Sequence, residues 1–306
     1  MPDDRRWRVN LWVGAIALGL AFGAMALGVY ITFRVLAFPD LTVDGSFPLG
    51  AAVAAILIVR GWEPWLTLPV AVAAGAAAGA VTAFLNSRFG INGLLAGILV
   101  SLGLWTVNLR VMEDRSNVPL LAVDTILTPL RPLVAEPNVR AVVLFGALLL
   151  GLALALNWLL HTDLGLALRA TGDTERMVRA QGIDADRMRL LGLALANGIT
   201  ALSGAFVAQY QAFADVGMGL GMIVAGLASV IIGETLIRPR GVLMAIVAVI
   251  LGSVAYRLVI AAALYIGLGP TDMRLVTSVI VIVALSAPRL RGALGVRGLA
   301  MGTARA

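Results

Sequence analysis

The side chains able to do chemistry in this 306-residue chain concentrate between residues 161 and 189, HTDLGLALRATGDTERMVRAQGIDADRMR. Five acids (Asp163, Asp173, Glu175, Asp184, Asp186) are interspersed there with five arginines (Arg169, Arg176, Arg179, Arg187, Arg189). A sparser set stands in apolar surroundings: Asp40, Asp44, Glu234 and Arg257. The chemistry open to these groups is narrow. The chain has no cysteine, which removes thiolate nucleophiles, disulfides and thiolate metal sites. All 23 basic residues are arginine, so neither a phosphate-binding P-loop lysine nor Schiff-base chemistry is available. The one histidine, His161, cannot form a multi-histidine metal centre and sits at a predicted helix end, an ordinary interfacial position. No catalytic residue, metal or cofactor is expected, and the chain reads as something other than an enzyme. Docking and recognition remain.

The elements that position these groups are membrane spans. Sixty per cent of residues are hydrophobic and thirteen per cent charged, with mean hydropathy +0.96, the signature of a polytopic membrane chain. Apolar runs near the ~20 residues a span needs fall at roughly 11–33, 65–85, 91–112, 139–160, 190–212, 216–237, 241–265 and 273–287. The run 47–59 is too short to cross comfortably and follows FPDLTVDGS, rich in turn formers. Residues 38–60 therefore read as a broken or re-entrant element, tolerated at membrane depth only inside protein or along a cavity. The expected fold is all-α, a helical bundle of about eight spans plus at least one such element. Residues 1–290 form a single domain and 291–306 a basic cytoplasmic tail.

With 38–60 taken as re-entrant, the N-terminus (Arg5, Arg6, Arg8), Arg88, the 161–189 loop, Arg238, Arg240 and the tail all fall in the cytoplasm, as the positive-inside rule asks. Arg131 and Arg140 fall outside and count against it. The high pI follows from this orientation rather than from nucleic-acid binding. An internal echo links FPDLTVDGSFPLGAAVAAI (38–56) with FADVGMGLGMIVAGLASVI (213–231). A duplicated half of this kind is common in transporters, and 216–237 is open to a re-entrant reading as well. Small-residue patterns such as GAAAG at 75–79 let helices approach closely.

Within the charged loop, Asp173 or Thr174 can cap a short helix, with Glu175 in its first turn. Gly182 is placed to end it, and Asp184 to cap the helix after it. Two turns alone are marginal in water, so the element needs a partner surface, and Met177, Val178 and Ala180 offer apolar contact between the arginines.

The stretch LGLALRATGDTERMVRAQGIDADRMRLLGLALANGITALSGAFVAQY resembles the corresponding region of permeases in the branched-chain amino acid and ribose permease superfamily of bacterial ABC importers. The matching positions are Gly165, Arg169, Ala170, Gly172, Asp173, Gly182, Ile183 and Leu202-Ser203-Gly204; the family's mid-helix alanine is replaced by Met177 or Val178. FPDLTVDGSFPLGAAVAA, INGLLAGILVSLGLWTVNLRVM, SNVPLL and ADVGMGLGMIVAGLASVIIGE resemble a narrower branch, paired with ABC-type substrate-binding lipoproteins that include tryptophan and tyrosine uptake systems. The resemblance implies a multi-pass subunit of the bacterial inner membrane, present as a homodimer with an ATPase subunit and an external substrate-binding protein. It implies that 173–182 is a coupling helix, with Gly172, Asp173, Thr174, Glu175, Arg176, Met177, Arg179, Gln181, Gly182 and Ile183 at the ATPase contact.

Ionisable groups at membrane depth ordinarily face a cavity or a partner. Arg257 either receives a substrate carboxylate, for which its fork is shaped, or pairs with Glu234 or snorkels to the interface. Asp40, Asp44, Asn92, Trp105, Asn108, Asn197, Gln209, Glu234 and Arg257 are the candidate substrate path; the amides are equally suited to bonds between helices, and Trp105 and Tyr210 either stack on a ligand or anchor at the interface. The function these features imply is the permease of an ABC importer for a small solute such as an amino acid or another carboxylated or aromatic metabolite. The alternative is a single-chain secondary transporter driven by ions at Asp40, Asp44 or Glu234.

Overall fold

The computed structural model describes residues 3–121, 123–269, 272, 275–282 and 286. Its helices are α1 (Asp3–Tyr30), α2 (Val43–Val59), α3 (Pro64–Phe89), α4 (Gly93–Val111), α5 (Pro137–His161), α6 (Asp163–Asp173), α7 (Glu175–Ala180), α8 (Ala185–Gln211), α9 (Met222–Ile237) and α10 (Val242–Tyr265). A π-helical turn, Ile31–Val35, extends α1. Among the described residues seven helical segments are long and apolar enough to cross a membrane, and the chain is a multi-pass membrane protein. The expected span 273–287 is described only in part, with 275–282 helical; the tail 291–306 lies outside the described residues.

α1, α2 and α8 form the inside of the bundle, buried along most of their length. Their contact requires small residues. A Cβ at Gly50 would overlap the Ala201 carbonyl, and one at Gly204 would overlap the Phe47 carbonyl. The backbones of α2 and α8 thus touch directly, as glycine permits between membrane helices.

Contacts at the helix ends define the direction of every crossing. α5 runs from Pro137 to His161 and delivers the chain to the charged loop, so Pro137 lies at the opposite, distal end. Asn138 Nδ2 donates to the Asn10 carbonyl at 3.1 Å, and Tyr210 donates to Asn138 Oδ1 at 2.9 Å. The start of α1 and the end of α8 are therefore distal too. The far end of α1 packs at the loop end, where a Cβ at Gly172 would meet the Val35 carbonyl. α2 then finishes at the distal end, where Ile58 joins Met112, Val118 and Ala214 in one apolar cluster.

The segment 36–59 consequently crosses the whole bundle. It does so as an irregular stretch, residues 36–42, in which Leu36 and Thr42 have helical backbone and Ala37 is left-handed at φ +50°, followed by the 17-residue helix α2. The helix alone reaches about 25 Å, and the irregular stretch covers the rest of the ~30 Å hydrocarbon core. The broken element is present, but it is a broken crossing and not a re-entrant one. This corrects the orientation: the N-terminus lies at the end opposite the 161–189 loop. The parity argument failed because it counted only helical reach. The arginine distribution does not separate the ends cleanly either, since Arg60, Arg110, Arg115, Arg131 and Arg140 are all distal.

The internal echo has a structural counterpart. α9 begins part-way through the bundle after an irregular stretch that includes a short 3-10 turn, Val216–Gly219, and ends at the loop end, where Glu234 pairs with Arg34. Thus α1–break–α2–α3 and α8–break–α9–α10 run in opposite senses, with α3 packed on α8 and α10 packed on α1, the arrangement of an inverted repeat. One feature was not expected from the sequence: β1 (Asn117–Pro119) pairs antiparallel with β2 (Phe213–Asp215), joining the α4–α5 connection to the second break.

Cysteines introduced at Asn10 and Thr174 should react with an impermeant thiol reagent from opposite sides of the membrane. Labelling of both from one side would overturn the broken crossing.

Candidate functional site

The charged loop is rigid for reasons visible residue by residue. Thr162 caps α6, its hydroxyl accepting from Gly165 N at 3.3 Å. α6 packs against the end of α1, and Gly172 is required there by close backbone approach rather than as a hinge. α7 follows from Thr174 as its N-cap and ends at Gln181, and Gly182 adopts φ +81°, a conformation glycine takes without the Cβ penalty. Asp184 caps α8, accepting from the Asp186 and Arg187 amides at 3.0 and 3.2 Å. Gly182 and Asp184 act as the sequence leads one to expect, whereas Thr174 holds the N-cap position of α7 without a side-chain bond.

The charges were expected to face a partner, and several instead face each other. Arg179 bonds Glu175 at 2.9 Å and Asp186 at 3.0 Å, while Arg189 pairs with both acids. Partial desolvation pushes the Glu175 carboxyl up, but the Arg179 and Arg189 guanidinium groups outweigh it and hold the acid below its usual range. Val178 points inward and is buried, not outward. Ile183 packs against the main core. The outward face is Asp173, Thr174, Arg176, Met177, Ala180 and Gln181, with Met177 58% exposed. A short, pinned helix therefore presents Met177 and Ala180 beside Arg176, which pairs with no acid among the described residues.

The second constellation lies where the two breaks meet. Asp44, in the first turn of α2, accepts from the Ile223 amide at 2.8 Å and the Gly221 amide at 3.3 Å. It caps α9 from a distant part of the chain, satisfying donors a helix start leaves open. Asp40, wholly buried, accepts from the Thr42 amide at 2.9 Å and from Asn197 Nδ2 at 2.7 Å. Asn197 Oδ1 in turn accepts from Ser46 at 2.7 Å. Asn108 donates to the Gly45 carbonyl at 3.2 Å. With Trp105 and Asp44 it lines a cavity of about 130 Å³.

Other predicted path residues stand apart from this junction. Asn92 is the N-cap of α4, accepting from Leu94 N at 3.0 Å. Gln209 accepts from Ile126 N at 3.0 Å and holds the distal 123–130 segment. Glu234 pairs with Arg34 at the loop end, so the expected Glu234–Arg257 pair does not form. Tyr210 is engaged by Asn138. Arg257 lies with its Cζ 3.6 Å from the centroid of the Phe22 ring. Arg34, Ser46 and Thr42 were missed by sequence reasoning; a lone arginine at the end of the first apolar run was the available signal for Arg34.

A family model described as the permease component of a branched-chain amino acid transport system matches residues 12–286. A tyrosine transport system permease protein of Clostridioides difficile is 36% identical, the alignment covering 91% of each chain. An uncharacterised protein of Rickettsia prowazekii is 34% identical over 91% of this chain and 98% of its own length.

Asp44→Ala should leave α9 amides without an acceptor at depth, costing about 1–3 kcal/mol, and should lower the thermal midpoint of the purified chain. Asp44→Asn, which keeps an acceptor, should retain most of that stability. Equal loss in both variants would show that the negative charge, not the cap, is what matters.

Proposed function

We propose a function from this premise: the chain belongs to the family of branched-chain amino acid transport permease components. It is an ABC-transporter permease. On our reading it works as an importer of the inner membrane, with the 161–189 loop in the cytoplasm, a separate ATPase subunit docked on α7, an external binding protein at the distal end and a second copy completing the pathway. The solute we infer is an amino acid or a related carboxylated, aromatic metabolite, the substrate named for the Clostridioides relative being tyrosine.

The observation that carries this reading is the construction of α7. Six residues cannot hold helical form in water. Here Val178 is buried against the bundle and Glu175 is tied to Arg179 and Arg189. The result is a rigid projection showing Met177 and Arg176 outward. That is the form suited to a helix laid into an apolar groove of a partner, with the charge setting its orientation. The ion-driven alternative gains nothing from the geometry. Asp44 is engaged by α9 amides, Asp40 by Thr42 and Asn197, and Glu234 by Arg34.

The purified chain should hydrolyse no ATP by itself, and should do so when its ATPase partner is added. Met177→Glu places a charge in the groove, and Gly182→Val strains the positive-φ position by about 1–2 kcal/mol. Met177→Glu should insert and melt like the wild type, Gly182→Val should insert and melt somewhat lower, and both should lose co-purification with the ATPase. Full assembly and transport by both would reduce the loop to a solvated linker.

A further inference from the structure

Arg257 is a cation held inside a membrane-spanning helix. Arg34, Arg179, Arg187 and Arg189 have carboxylate partners of their own. Arg257 stands well inside α10, and among the described residues no acid pairs with it. Its buried Nε atom has no hydrogen-bond partner. Its planar face rests on Phe22, 3.6 Å from the ring centroid, and Phe22 is itself stacked on Phe47 of α2 at 5.4 Å. Cation–π contact offsets part of the desolvation of a guanidinium. It occupies only the face and leaves the in-plane donors, the part of arginine that grips an anion with two parallel bonds.

Arg257 lines a cavity of about 560 Å³, within the ~300–1,000 Å³ range of small-molecule sites. Its walls are the start of α9, including Leu220 and Met222, the α10 face with Tyr256 and Ile260, and Thr277. Tyr256 and Thr277 hold each other's hydroxyls at 3.0 Å, so the wall is preorganised. One charged group on a mostly apolar lining is the composition of a site that orients an amphipathic ligand by one end. Asp44 of the central junction turns its oxygens to the α9 amides.

We propose that this cavity receives the carboxylate of a small amphipathic solute on Arg257, with the solute's apolar body against Leu220, Met222 and Ile260. The assignment rests on the permease reading and names the contact through which the membrane subunit itself senses its cargo.

The purified full chain in phosphatidylcholine nanodiscs provides the test, with thermal midpoint as the readout. The probes are L-tyrosine and L-leucine at millimolar concentration, each compared with the amine that lacks the carboxyl group, tyramine or isopentylamine. At least one amino acid should raise the wild-type midpoint while its amine does not. Arg257→Lys should weaken the apparent affinity tenfold or more, and Arg257→Met should abolish the shift. The carboxyl–amine comparison uses only wild-type protein, so it stands even if Arg257→Met folds poorly. No shift with either amino acid, a shift shared with the amines, or a shift retained in Arg257→Met would overturn the proposal. An Arg257-dependent shift on replacing phosphatidylcholine with phosphatidylglycerol, with none from the amino acids, would also overturn it and make the cavity a lipid site. Co-purification with the ATPase, measured in parallel, separates the two levels: capture of the ATPase by a chain that ignores carboxylates sinks this inference alone.

Discussion

The architecture depends on satisfying non-helical backbone inside a bilayer. Water is absent there, so each open peptide group must find a partner within the protein. The chain breaks twice at depth, and each break is closed by a side chain or backbone group from elsewhere. Asp44 of the first broken crossing caps α9 of the second, while Asp40 is held by Thr42 and Asn197. The two breaks are thus mutually supporting, and the direct backbone contact of α2 with α8 at Gly50 and Gly204 brings them close enough to be so. Charges at membrane depth suggest ion or substrate chemistry at first sight. Asp40 and Asp44 bind amides of the protein itself.

The charged loop shows the same economy on a smaller scale. Most of its acids and arginines are spent on one another or on caps, through Glu175, Arg179, Asp184, Asp186 and Arg189. The loop is continuous with the bundle: α7 joins α6, α6 packs on the end of α1, and that end is tied to α9 through Arg34 and Glu234. A displacement at α7 therefore reaches the helices flanking both breaks through packed elements rather than through a flexible tether.

Local features were legible in the sequence because they depend on neighbours within a turn or two. Apolar length gave the spans, Thr174 and Gly182 bounded α7, and Asp184 announced the cap of α8, all of which the structure holds. The motif residues Gly165 and Gly172 were also visible, although their reason, contact with the Leu159 and Val35 carbonyls, was not.

Tertiary structure decided what depends on distance in sequence. Whether 38–60 crosses the bundle turns on where the irregular stretch before α2 carries the chain, which hydropathy does not measure, and that one fact reverses the side of the N-terminus. Which polar groups meet is equally non-local: Asp44 and Ile223 lie 179 positions apart, and Glu234 chose Arg34, 200 positions away, over Arg257. Hydropathy and capping are properties of a segment, so the chain's membrane class and the short helix α7 were written in order along it. The partner of a buried charge is a property of packing, and only the folded bundle leaves Arg257, among the described residues, without an acid beside an open cavity.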